Sequence, residues 1–143
     1  MKVAISACLL GNKCRYDGSE NHDPKLLGKL EGQELIAFCP EDFCYGTPRP
    51  TMDLIDGEDI KAISNLSGAD LTPPIKEYAK AFFENNKDID LFIGKDRSPS
   101  CGVKSAKLYN KDKELISTEA TGIMAKEAID RGIKAIDAEE YLL

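Results

Sequence analysis

No stretch of the chain approaches the ~20 apolar residues that a membrane-spanning helix needs. The start, Met1-Lys2-Val3-Ala4-Ile5-Ser6-Ala7-Cys8, superficially resembles a lipoprotein cleavage site. Only seven residues precede that cysteine, too few for a charged region followed by an apolar core of about 7–15 residues. Positive charge is not in excess either. The 25 acidic residues outnumber the 19 basic ones and give a formal net charge of −6, which argues against a broad phosphate-binding face and disfavours a nucleic-acid partner. No Cys-x-x-Cys pair is present, so a disulfide-exchange enzyme is disfavoured. The only histidine, His22, lies in a polar loop and reads as a solvated side chain, not as the base of a cysteine nucleophile. There are no repeats or low-complexity segments.

These absences leave a cytoplasmic protein whose 143 residues form a single domain, 1–143. A chain of about 150 residues buries roughly 70% of its unfolded surface and needs no disulfide staples. Its five cysteines are an odd number for a closed disulfide framework. In a reducing compartment, clustered thiols point to metal ligation or catalysis.

Apolar periodicity predicts the elements. Lys2 to Ala7 reads as a strand. Asp23-Pro24 starts a helix carrying Leu26, Leu27 and Leu30, which stops at Gly32, and Glu34 to Phe38 is a second strand. Together these make a βαβ unit. Cys39 to Pro50 contains three prolines and reads as an irregular loop, a length of structureless chain that is usually functional. Weak strands flank Asp56-Gly57. Thr72-Pro73 opens a helix with Ile75, Tyr78, Ala79, Phe82 and Phe83 along one stripe. Ile89 to Gly94 is a buried strand. Lys107–Tyr109 and Glu114–Ile116 form a small hairpin. A helix from about Gly122 to Arg131, a strand from Ile133 to Ile136 and one more helical turn complete the chain. The expected fold is α/β, with a mainly parallel sheet and helices on both faces, a Rossmann-like three-layer arrangement. In such sheets ligands bind beyond the carboxyl ends of the strands.

Cys8, Cys39 and Cys101 each follow one of these strands, so the topology brings all three to one rim. Structural zinc is one use for such thiols, since Cys39 and Cys44 have knuckle-like spacing, but zinc ribbons place their pairs in short hairpins. An iron–sulfur cluster is another. Cluster irons normally take four cysteines, and three would leave one iron open to a ligand. A third use is packing as small buried hydrophobes, which suits Cys14 best. Glu41 stands two residues from Cys39, and Ser98 three before Cys101. A carboxyl there serves as general acid or base, and a hydroxyl holds substrate or water; a turn or N-cap carboxylate is the plainer reading of Glu41. Arg15, Arg49 and Lys95 either balance thiolate or ligand charge or form ordinary surface ion pairs.

Read in order, Ser6-Ala7-Cys8-Leu9-Leu10-Gly11, Arg15-Tyr16-Asp17-Gly18, Cys39-Pro40-Glu41, Pro48-Arg49-Pro50 and Lys95-Asp96-Arg97-Ser98-Pro99-Ser100-Cys101-Gly102 resemble the thiouracil desulfidase family across nearly the whole chain. The resemblance implies a [4Fe-4S] cluster with a non-redox role. It would replace the sulfur of a small thiolated pyrimidine with oxygen and release sulfide. It further implies Cys8, Cys39 and Cys101 as ligands, Glu41 and Ser98 as catalytic groups, and Arg49, Lys95 and Ser100 as substrate-binding groups. Cys44 lies in a loop about one residue shorter than usual for the family and is an alternative second ligand. Cys14 occupies a position that is usually apolar. The competing readings are a non-catalytic metal- or sulfur-binding module and a structural zinc protein.

Overall fold

The computed structural model describes residues 1–143. Val3, Ala4 and Ile5 are all fully buried because β1 (Lys2–Ser6) is a central strand covered on both faces. An unbroken apolar run of this kind marks a parallel sheet. β1 pairs in parallel with β2 (Glu34–Phe38) and with β5 (Leu91–Gly94). On the far side of β5 lies β8 (Lys134–Asp137), also parallel, giving the order β2-β1-β5-β8.

The two-residue period of the strands divides the core. Val3, Ile5, Leu91 and Ile93 face Leu26 and Leu30, in and just after α1 (Pro24–Lys29), and Ala138 of α5 (Ala138–Tyr141). Ala4, Phe38 and Phe92 face the other way. They pack on Ala79 and Phe83 of α3 (Thr72–Asn85) and on Met124, Ala125 and Ala128 of α4 (Ile123–Asp130). The sheet therefore carries helices on both faces, as expected for α/β.

The two weak hairpins do not stand alone. β3 (Met52–Ile55) pairs antiparallel with β4 (Lys61–Ser64), and β6 (Ala106–Tyr109) with β7 (Leu115–Ala120). A parallel pairing of β3 with β6 joins them into one mixed sheet of order β4-β3-β6-β7. Its buried face, Met52, Leu54, Ala62 and Ala106, packs with Ile75 of α3 and Ile123 of α4. The same two helices thus serve both sheets.

One element corrects the expectation from sequence. Pro40–Tyr45 is a helix, α2, inside the segment read as irregular. Pro40 occupies its first turn, where a missing N–H costs nothing because no intrahelical partner exists there. Gly46 at φ 78° ends it, and Pro48 and Pro50 come afterwards. Similarly, β1 ends at Ser6, and Ala7–Leu10 form a short 3-10 turn. No helix is long and apolar enough to cross a membrane.

Candidate active site

The carboxyl ends of β1, β2 and β5 open into a cavity of about 600 Å³ whose opposite wall comes from the mixed sheet. Cys8 enters it from the 3-10 turn after β1, Cys39 from the N-cap of α2, and Cys101 from the loop after β5. Cys14 lines the same cavity, although its sequence position suggested packing alone. All five cysteines are free thiols. Cys44 lies elsewhere, in a separate groove with Phe43, Tyr78 and Phe82. Of the two thiols that follow β2, only Cys39 shares the cavity with Cys8 and Cys101.

The loop that carries Cys101 is held by backbone geometry. Ser98 Oγ accepts the N–H of Cys101 at 3.0 Å and of Ser100 at 3.3 Å, a side-chain turn that fixes the cysteine's approach. The loop's carbonyls in turn cap α4: Ile123 N–H donates to Pro99 O, and Met124 N–H to Ser100 O. These bonds satisfy helix donors that would otherwise have no partner. At the far end of the loop, the buried Asp137 carboxylate takes Val103 N–H at 2.7 Å, Lys104 N–H at 2.8 Å and the Ser105 hydroxyl at 2.9 Å.

Burial governs the thiols. Desolvation pushes Cys14 up to about 12, reinforced by the neighbouring Cys39 thiol, and it also raises Cys39 and Cys101. Without a metal these groups stay protonated at neutral pH. A cation bound to the sulfurs removes that penalty, so metal uptake releases protons. Four soft sulfur donors with no histidine among them suit iron–sulfur or other thiophilic metal chemistry.

Beside the thiols is a carboxylate. Glu41, in the first turn of α2, accepts the Ser100 hydroxyl on Oε2 at 2.6 Å, and its Oε1 lies 3.6 Å from Arg49 Nε. Ser100 Oγ also stands 3.2 Å from Ser98 Oγ and 3.4 Å from Cys101 Sγ. Arg49 spends its terminal N–H groups on Gly46 O, Thr47 Oγ1 and Cys14 O. Its Nε is the one buried side-chain nitrogen or oxygen without a hydrogen-bond partner. Lys95 lines the cavity and donates from Nζ to Asp96 O at 3.1 Å, with burial lowering its pKa. The eight residues that the resemblance marks as ligands, catalytic groups or substrate-binding groups all line one cavity. Both His22 and Cys44 lie outside it.

Sequence reasoning missed three supporting groups. Asn21 Nδ2 donates to Cys8 Sγ at 3.6 Å, Tyr78 Oη accepts the Cys39 N–H at 3.2 Å, and Asp137 anchors the Cys101 loop. Tyr78 was legible only as part of the apolar stripe of α3. Neither Asn21 nor Asp137 carries a local signal, because each acts on a segment remote in sequence.

Comparison with known proteins follows the same outline. The family model described as 2-thiouracil desulfurase matches residues 3–140. The uncharacterized protein YbbK of Bacillus subtilis (strain 168) is 31% identical over 152 residues, an alignment that takes in 98% of this chain and 99% of that protein. Among solved structures, the [4Fe-4S]-dependent thiouracil desulfidase TudS superposes with a TM-score of 0.78 at 31% identity, covering 97% of this chain and 91% of that one.

Proposed function

The chain belongs to the 2-thiouracil desulfurase family, and from that membership and the geometry of the cavity we propose that it is an enzyme that removes sulfur from thiouracil or a similar small thiolated pyrimidine. The product is the oxo base, and sulfide is released. One observation carries the reading: thiols from the ends of three parallel strands share a cavity with a hydrogen-bonded carboxylate. The shared packing of both sheets on α3 and α4 supports treating residues 1–143 as one domain.

Cys8, Cys39 and Cys101 would hold a [4Fe-4S] cluster, with Asn21 and Tyr78 fixing the first two and Asp137 the loop of the third. Bound there with three protein ligands, the cluster supplies a soft Lewis acid that prefers thiocarbonyl sulfur to oxygen. The protein's own residues manage the water and its proton. Ser98 presents a hydroxyl that places the attacking water against the ring carbon. Glu41 takes up the proton as the new carbon–oxygen bond forms, and returns it to the departing sulfide. Lys95, at the rim, offers a donor to the ring's oxygen, while Arg49 holds α2 to the Cys14 segment beside the substrate. The acidic chain favours a small substrate over a polynucleotide. The cytoplasm is where five free thiols and an oxygen-labile site would persist.

The decisive experiment uses anaerobically reconstituted protein. Glu41→Gln keeps its iron and labile sulfide yet loses sulfide release from thiouracil, because an amide exchanges no proton. A Glu41→Gln protein that turns over at the wild-type rate would remove the carboxylate from the mechanism.

A further inference from the structure

Of the three sulfurs assigned to the cluster, that of Cys8 is the one with an amide nitrogen against it. Asn21 Nδ2 donates to Cys8 Sγ at 3.6 Å. The other two have different neighbours. Cys39 Sγ faces the Cys14 carbonyl at 3.8 Å. Cys101 Sγ has the Ser100 hydroxyl at 3.4 Å, whose proton goes to Glu41. A hydroxyl can turn round, whereas an amide nitrogen carries two hydrogens and only donates. Asn21 is also held to its target. Its backbone N–H donates to Cys8 O at 2.9 Å, and two residues on, Asp23 N–H donates to Leu9 O at 3.1 Å. Asp23 in turn accepts Leu26 N–H at 3.0 Å and caps α1. The segment before α1 is thus bonded along the turn that carries Cys8, and the short Asn21 side chain reaches the sulfur from there.

Such a bond counts for most once the sulfur is charged. A thiolate bound to metal still has outward lone pairs and accepts an N–H, while an amide oxygen in the same place would be repelled. Hydrogen bonds to cysteine sulfurs help to set the reduction potential of an iron–sulfur cluster. The reason is that electron density drawn towards the N–H is density the sulfur no longer gives to iron.

We propose that Asn21 tunes the cluster through Cys8, making it easier to reduce and making its irons a stronger acceptor for the sulfur of the substrate. The inference rests on Cys8 being a cluster ligand in a desulfidase. Asn21 acts through Cys8 and is a positioning residue. The reaction itself exchanges no electrons; the potential measures how electron-poor the irons are.

Anaerobically reconstituted protein tests this, with each rate expressed per cluster. Asn21→Leu keeps the size of the side chain and the backbone bonds but has no donor, and Asn21→Asp puts an anion in place of the amide. Midpoint potentials, from titrations followed by electron paramagnetic resonance, should fall in the order wild type, Asn21→Leu, Asn21→Asp. Sulfide release from thiouracil should drop about tenfold in Asn21→Leu, the lower end of what outer-shell substitutions cost. A residue that merely shapes the Cys8 turn would lower iron content and leave the potential of the remaining clusters where it was. That result, or wild-type turnover per cluster in Asn21→Leu, would overturn the proposal. A measurement on the unaltered protein decides the matter if neither variant keeps its cluster. With a heavy nitrogen isotope in the asparagine side chains, pulsed resonance on the reduced cluster should show coupling to that isotope, and no coupling would mean no bond to the sulfur. Wild-type protein that shows the coupling yet releases no sulfide from thiouracil sinks the underlying function and leaves the bond standing. An active wild type without the coupling sinks the tuning alone.

Discussion

Gly94 and Cys101 meet backbone to backbone: a Cβ on Gly94 would stand 1.8 Å from the Cys101 carbonyl oxygen. On the other side of the same loop, a Cβ on Gly122 would lie 2.5 Å from the Ser100 carbonyl carbon and 2.8 Å from the Cys101 nitrogen. The loop is gripped between the end of β5 and the start of α4, and both contacts require the absence of a side chain.

Gly122→Ala should therefore push the loop outward, cost about 1–3 kcal/mol as an overpacked site does, and lower iron per chain. Gly28→Ala is the control. Nothing lies within 4 Å of its Cβ position in α1, so replacing a helical glycine should stabilise by roughly 0.5–1 kcal/mol. Urea unfolding and iron assay on both variants check this; unchanged stability and iron in Gly122→Ala would show that the grip is loose.

Asp137 is the second hold on that loop. Asp137→Ala leaves two backbone N–H groups and the Ser105 hydroxyl without their acceptor. Hydrogen bonds to charged groups contribute about 1.5–3 kcal/mol each at most, so a loss of several kcal/mol is expected, together with poor cluster retention. Asp137→Asn keeps one acceptor oxygen and should fall between the two. Equal unfolding midpoints for Ala and wild type would contradict the anchoring role.

The sequence made some of this visible and hid the rest for physical reasons. Apolar runs at β1, β2 and β5 and the stripe of α3 carry their own periodicity, so the parallel sheet and its ligand-binding rim could be read directly. The helix α2 is hidden because three prolines within twelve residues argue against regular structure, whereas Pro40 sits in the first helical turn, where proline is tolerated. The pairing of β3 with β6 aligns Leu54 with Leu108, and no local pattern encodes a contact across that separation. Cys14 reads as a small packing residue. It reaches the cavity because the loop folds back through bonds such as Asn21 N–H to Cys8 O and Arg15 N–H to Ser19 O. Cys39 is the expected second ligand with Cys44 as its alternative; the structure puts Cys39 at the N-cap of α2, lining the cavity, and Cys44 in the separate groove.

Placement of the cysteines predicts an unequal response to their removal. Cys8→Ala, Cys39→Ala and Cys101→Ala should each lose the cluster, read as iron content and visible absorbance after anaerobic reconstitution. Cys44→Ser, in the separate groove, should keep both. Cys14→Ser should also keep its iron: Arg49 uses the Cys14 carbonyl, not its sulfur. Iron lost from Cys14→Ser but retained in one of the first three would mean that the ligand set includes Cys14.

Arg49 offers the sharpest separation of charge from shape. Its side chain is 5% exposed and that of Glu41 15%, so their attraction is poorly screened. Its fork also ties Gly46, Thr47 and the Cys14 carbonyl together. Lysine keeps the charge but cannot reproduce a planar fork of donors. Methionine removes both and leaves the half-buried Glu41 carboxylate with the Ser100 hydroxyl as its remaining partner. Arg49→Met should therefore destabilise more than Arg49→Lys, and both should raise KM more than the unfolding midpoint alone explains, because the Cys14 segment forms part of the cavity wall. If Lys and Met destabilise equally in urea titrations, the fork alone matters and the proximity of the Arg49 charge to Glu41 contributes nothing to stability.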